Sequence, residues 1–137
     1  MTTWRDELEE AIKTLAEREA EEAARRKKRL EEALKIADEA RALADEGLSY
    51  VREQLAAKGQ SASLLRDGEA LTLSLHGQAL TVELDRGEAI LKVVANGARP
   101  REFDFAKDRH IAPKDVEEYV GRRAVELARA AQKVSPW

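Results

Sequence analysis

Apolar residues follow two rhythms along this chain, and the change falls near Gly59. Before it, Leu30, Leu34, Ala37, Arg41, Ala44, Leu48, Val51 and Leu55 follow steps of four and three without a break. That is a heptad seam with one arginine in it, the spacing of a helix that buries one face against another helix. A shorter stripe of Trp4, Leu8, Ala11 or Ile12, and Leu15 opens the chain in a different heptad phase. Residues 17–29 between the two offer only alanines for a seam, which predicts a phase shift or a length of solvated helix.

Residue chemistry supports one long helix. Proline is absent from residues 3–58, Gly47 is the sole glycine there, and Ala, Glu, Arg, Lys and Leu dominate. Thr3 suits an N-cap, with Asp6 and Glu7 in the first turn where the helix dipole favours negative charge. Such a helix would reach roughly 80 Å at 1.5 Å per residue. Gly47 weakens it by about 1 kcal/mol relative to alanine and is the one place where it could break into two.

After Gly59 the period becomes two. Leu71, Leu73 and Leu75 alternate with Thr72 and Ser74, and Leu80, Val82 and Leu84 with Thr81 and Glu83. Residues 89–95 hold Ile90, Leu91, Val93 and Val94, and Phe103 and Phe105 flank Asp104. Alternation of this kind marks strands with one buried face. Asp67-Gly68, His76-Gly77, Arg86-Gly87 and Asn96-Gly97 supply turn signals between them. Residues 62–65 are a candidate first strand, and Pro100 belongs on an edge or ahead of a strand. Pro113 then opens a last helix with the stripe Val116, Tyr119, Val120, Ala124, Leu127, Ala131 and Val134, which Ser135-Pro136 ends.

The expected fold is α+β: a long, coiled-coil-like N-terminal helix, a four- to five-stranded antiparallel meander, and a C-terminal helix packed on the sheet. Two units are expected, with residues 1–58 as an oligomerisation stem and 59–137 as a small domain. The order of elements resembles the general plan of kinetochore-type dimerisation domains and RWD-like modules. It shares no motif residues with them, and a resemblance of order alone carries no function.

Composition narrows the chemistry. Charged residues make up 37% of the chain, yet 24 Lys and Arg against 27 Asp and Glu leave a net charge of only -3. That balance gives no global reason to bind nucleic acid or an anionic membrane. The absence of cysteine removes disulfides, thiolate catalysis and cysteine-based zinc sites, and fits a cytoplasmic protein. The first residues are acidic and amphipathic, unlike a secretory signal, and no stretch approaches the length of a membrane span.

No nucleophile elbow, phosphate-cradling loop or metal-spaced histidine pair is visible, so no catalytic, cofactor or metal residue is assigned. Asp104, Asp108 and His110 are the one trio that could converge on a cation. The basic run Arg25, Arg26, Lys27, Lys28 and Arg29 is offset by Glu21, Glu22, Glu31 and Glu32 four residues away on the helix surface. A softer candidate for an anionic partner is Arg122, Arg123, Arg129 and Lys133, four bases opposed within that stretch by Glu126 alone. Trp4 and Trp137 are candidate interface anchors.

These features point to a structural or adaptor protein without enzymatic activity. It would form a homodimer through Leu30, Leu34, Ala37, Ala44, Leu48, Val51 and Leu55, and present the small domain to a protein partner. A nucleic-acid-binding dimer using the basic helix faces is the alternative. An enzyme with an unrecognised site on the open sheet face is the third reading.

Overall fold

The computed structural model describes residues 3–96 and 98–134, with only the backbone described at 132–134. Helix α1 runs unbroken over Trp4–Ala57 and passes straight through Gly47. A capping box starts it: the Thr3 hydroxyl accepts from the Asp6 amide, and the Asp6 carboxylate accepts from the Thr3 amide. Strands β1 (Ser63–Asp67), β2 (Ala70–Leu75), β3 (Gln78–Asp85), β4 (Ile90–Ala95) and β5 (Arg101–Asp104) follow, and helix α2 (Pro113–Val134) closes the fold.

All four strand pairings are antiparallel and join sequence neighbours, so the sheet is a simple meander in the order β1-β2-β3-β4-β5. Two hairpins turn on two residues, Gly68-Glu69 between the paired Asp67 and Ala70 and His76-Gly77 between the paired Leu75 and Gln78, the latter with φ of 48° and 80°. Two successive positive φ values give a turn whose twist matches that of the flanking strands. Pro100 precedes edge strand β5, where its missing N–H breaks no central ladder.

The period-two pattern decides which face is covered. Leu71, Leu73, Leu75, Leu80, Val82, Leu84, Leu91, Val93 and Phe103 point to one side and are buried. Both helices cover that side, with α1 reaching β1 and α2 reaching β5 through an edge-on contact of Tyr119 with Phe103 at 5.6 Å. Each of the fully buried leucines is worth about 1.5–3 kcal/mol relative to exposure. The opposite face carries Thr72, Thr81 and Val94 in one row and Glu83, Lys92 and Glu102 in the next.

One hydrophobic core contains Ala33, Ala37, Ala40, Ala44 and Leu48 of α1 together with the sheet and Val116, Val120, Ala124, Leu127 and Ala131 of α2. This corrects two expectations. The boundary at residue 58 does not separate two cores, because the second half of α1 belongs to the same core as the strands. The seam assigned to a second copy is also occupied by the chain itself. Ala37, Ala44 and Leu48 are fully buried, and Leu30, Leu34, Val51 and Leu55 pack half-buried on the same core. The physical reason is α2: a 22-residue amphipathic helix is about 33 Å long and matches the stretch of α1 that carries the seam.

The buried line is also displaced from the expected heptad. It uses Ala33 and Ala40 in place of Leu34 and Arg41. Small residues on the contact line let two helix backbones approach closely. Arg41 is turned instead toward the β1–β2 hairpin. Its Nη2 donates to the Gly68 carbonyl and its Nε to the Glu69 carbonyl, each at 3.2 Å.

Candidate interaction surface on the free arm of α1

Only the second half of α1 is used by the core. Every residue from Thr3 to Arg29 is exposed, whereas burial begins at Leu30. The free arm is therefore about 26 residues, or about 39 Å, of helix projecting from the body. Its sequence explains how it holds its shape. Helix-favouring residues, the Thr3 capping box and charge pairs four residues apart, such as Glu21–Arg25 at 3.7 Å, each add a little.

The arm carries most of the large apolar side chains that the described residues leave in water. Trp4 is 67% exposed, Leu8 50%, Ile12 57% and Leu15 57%. Their placement on the helix is specific. Ten turns of an α-helix are 36 residues. Trp4, Leu8, Ile12 and Leu15 each lie ten turns before Ala40, Ala44, Leu48 and Val51, the line that faces α2 and the sheet. The stripe on the arm thus continues the packing face of the body, on the same side of the rod, beyond the reach of α2. Between the two apolar lengths, the same side carries Glu19, Glu22 and Arg26.

Charge along the arm is lopsided. Residues 4–22 hold eight acidic against three basic side chains, and residues 23–29 hold five basic and no acidic ones. The Arg5 guanidinium lies 5.4 Å from the centre of the Trp4 ring, which leaves most of the indole free.

The C-terminal basic group does not form one patch. Arg122 is paired at 2.9 Å with Glu118, one turn before it on the same helix. Arg123 is paired with Glu126 at 2.8 Å and lies over the Tyr119 ring at 5.0 Å. Arg129 is exposed, while the Lys133 side chain and Trp137 lie outside the described residues. Two of the four cations are thus matched on their own helix.

Elsewhere, the polar groups are occupied locally. Asp104 Oδ1 accepts from the amides of Ala106 and Lys107, and Asp108 Oδ1 from that of His110, so these carboxylates close turns and do not converge. His76 Nε2 is 2.8 Å from Gln60 Oε1. Among the described residues no group of three or more His, Cys, Asp or Glu side chains could hold a metal ion. No helix there is long and apolar enough to cross a membrane.

A shallow recess of about 660 Å³ at one end of the open sheet face is lined by Glu69, Glu83, Asp85, Glu88 and Glu102 with Arg86 and Lys92. Arg86 bridges Glu69 at 2.6 Å and Asp38 of α1 at 2.8 Å, which ties helix to sheet and holds the guanidinium firmly protonated. A second clamp, from Asp45 to Arg66 at 2.6 Å, anchors α1 on β1. Both clamps escaped the sequence reading, since partners 21 and 48 residues apart leave no local spacing to detect.

No protein family, curated protein or solved structure matches the chain.

Proposed function

We propose that this chain is a non-enzymatic structural protein that self-associates through the free arm of α1 and holds out its α+β body to a protein partner. The observation that supports this reading is the stripe of Trp4, Leu8, Ile12 and Leu15, half or more exposed on one side of a helix that no other described element covers there. Leaving such side chains in water forgoes on the order of 1.5–3 kcal/mol each. A projecting helix with anchors at this spacing is a common recognition element. The surface used for assembly is therefore built on the stripe from Trp4 to Leu15, a little over three turns, not on the Leu30–Leu55 seam, which the body itself fills.

The test is sedimentation velocity on the full chain at micromolar concentration, beside a full-length variant carrying Leu8→Glu, Ile12→Glu and Leu15→Glu. The natural chain is expected to sediment as a concentration-dependent oligomer. The variant is expected to be a monomer whose body unfolds with the same free energy as the natural chain diluted to the monomer, since the arm contributes nothing to the core. A natural chain that stays monomeric overturns the reading.

A further inference from the structure

Charge and register on the arm say how two copies would meet. We propose that the arms pair antiparallel, each Trp4 reaching the point where the other copy's α1 enters its body. This rests on the self-association reading above and specifies its geometry.

The proposal starts from the side of the arm that carries the apolar stripe. Read along it, this side presents Trp4, Leu8, Ile12, Leu15, Glu19, Glu22, Arg26 and Leu30. Laid against a second copy running the other way, the two sequences mesh. Trp4 meets Leu30, Leu8 meets the aliphatic stem of Arg26, Ile12 meets that of Glu22, and Leu15 that of Glu19. Long charged side chains cover apolar neighbours in this way while keeping their heads in water. Leu30 is itself only half-buried by its own body, so the tip tryptophan completes its cover.

The flanks decide the direction. On one border of the stripe the helix carries Glu7, Arg18, Arg25 and Arg29, and on the other Arg5, Glu9, Lys27 and Glu31. Antiparallel helices bring like borders together. Glu7 then lies beside Arg25 and Arg29 of the second copy, Glu9 beside Lys27, and Arg5 beside Glu31. These four pairs are of opposite sign and each occurs twice by symmetry; they outnumber the like-charge contacts of the same register, Arg5 beside Lys27 and Arg18 beside its own copy near the two-fold axis. Parallel, in-register helices bring unlike borders together. Glu7 would then lie between Arg5 and Glu9, and Arg29 between Lys27 and Glu31, so that attraction there is cancelled, while Arg25 would face Lys27, and Glu19, Glu22 and Arg26 would each sit on their own copies. Like-charge neighbours of this kind oppose association.

Length agrees with charge. Pairing the apolar tips alone, over residues 4–15, would give a contact of about 18 Å. Overlap out to Leu30 roughly doubles it and ends where the two bodies begin.

The experiment uses single-cysteine full-length chains, which the absence of native cysteine makes unambiguous. Leu8→Cys and Arg26→Cys chains are mixed and treated with a short bismaleimide, and each is also treated alone. Positions 8 and 26 are about 27 Å apart along one helix. The expected result is a covalent dimer from the mixture and little from either chain alone. Dimers from each chain alone, with the mixture giving no more than these, would mean parallel pairing and would sink the proposal. In parallel, reversing Arg25, Lys27 and Arg29 to Glu is expected to weaken the dimer at least tenfold, and adding Glu7→Lys and Glu9→Lys to the same chain to restore it. A reversal with no effect, or one that the second set fails to rescue, counts against it. A natural chain that is monomeric in sedimentation refutes the underlying reading instead, so the two failures are distinct.

Discussion

Arg66 on edge strand β1 grips Asp45 on α1 with two parallel hydrogen bonds, Nη2 to Oδ1 at 2.6 Å and Nε to Oδ2 at 3.1 Å. Ser49, one turn on, donates to the same carboxylate at 3.3 Å. At the opposite edge of the sheet, Arg101 on β5 lies 5.0 Å from the Phe103 ring and 6.0 Å from the Tyr119 ring of α2. Each helix is thus tied to its nearer sheet edge by an arginine, one through charge and one through aromatic contact.

The Asp45 clamp gives a pH dependence. Hydrogen bonds from Arg66, and then its charge, hold the Asp45 carboxyl below its ordinary pKa. A carboxyl depressed in the folded state adds stability that is present above its unfolded pKa and lost as pH falls through the folded one. Urea denaturation should therefore show Asp45→Asn less stable than the natural chain at pH 7. The difference should narrow below about pH 4. An equal difference at pH 7 and pH 2.5 would exclude the linkage.

Gly47 gives the opposite sign. It lies inside α1, and a methyl group added there would meet nothing within 4 Å. Gly47→Ala should raise stability by about 1 kcal/mol, the usual helix-interior difference, with a thermal melt a few degrees higher. A lower melt would show that the glycine accommodates a neighbour.

The alanine line of α1 should resist enlargement. Ala40 is fully buried. Ala40→Leu is expected to cost about 1–3 kcal/mol or more, because the helices must part. Leu48→Ala, at a site equally buried, should cost about 2–5 kcal/mol through the cavity it leaves. Leu8→Ala on the arm, by contrast, should leave the unfolding free energy of the monomeric body unchanged. Chemical denaturation of the three variants at submicromolar concentration separates these cases.

Arg41 tests the structure against the bare pattern. A heptad reading makes Arg41→Leu an improvement, since it completes an apolar seam. The structure makes it a loss, because two carbonyls of the β1–β2 hairpin would each lose a donor. Arg41→Leu is expected to destabilise the fold, and Arg41→Lys to recover only part, for an ammonium cannot reproduce the fork. Equilibrium unfolding that ranked Leu above Arg would contradict this.

What could be read from the residues was what local spacing records. Alternation in residues 71–75 and 80–84 gave the strands and their buried face, the turn dipeptides gave the meander, and the Val116–Ala131 stripe gave α2. The absence of proline and the Thr3 cap gave a long first helix. What could not be read was which face of that helix would meet what. Ala33 and Ala40 carry too little area to mark a core by hydrophobicity, so the larger Leu34 drew the seam one position aside. A heptad seam also looks the same whether a second chain or the chain's own later helix fills it. Of the surface assigned here to assembly, the stripe from Trp4 to Leu15 was visible from the start. That no other described element covers it needed the fold.

The unbroken backbone of α1 has a mechanical corollary. With no hinge between tip and body, a grip on Trp4 fixes the attitude of the whole sheet some 40 Å away, as a handle fixes a blade. Two such handles locked together would set both the spacing and the relative bearing of the two bodies. Adding or deleting residues in the arm would change that spacing by about 1.5 Å each and swing one body around the rod by about 100°.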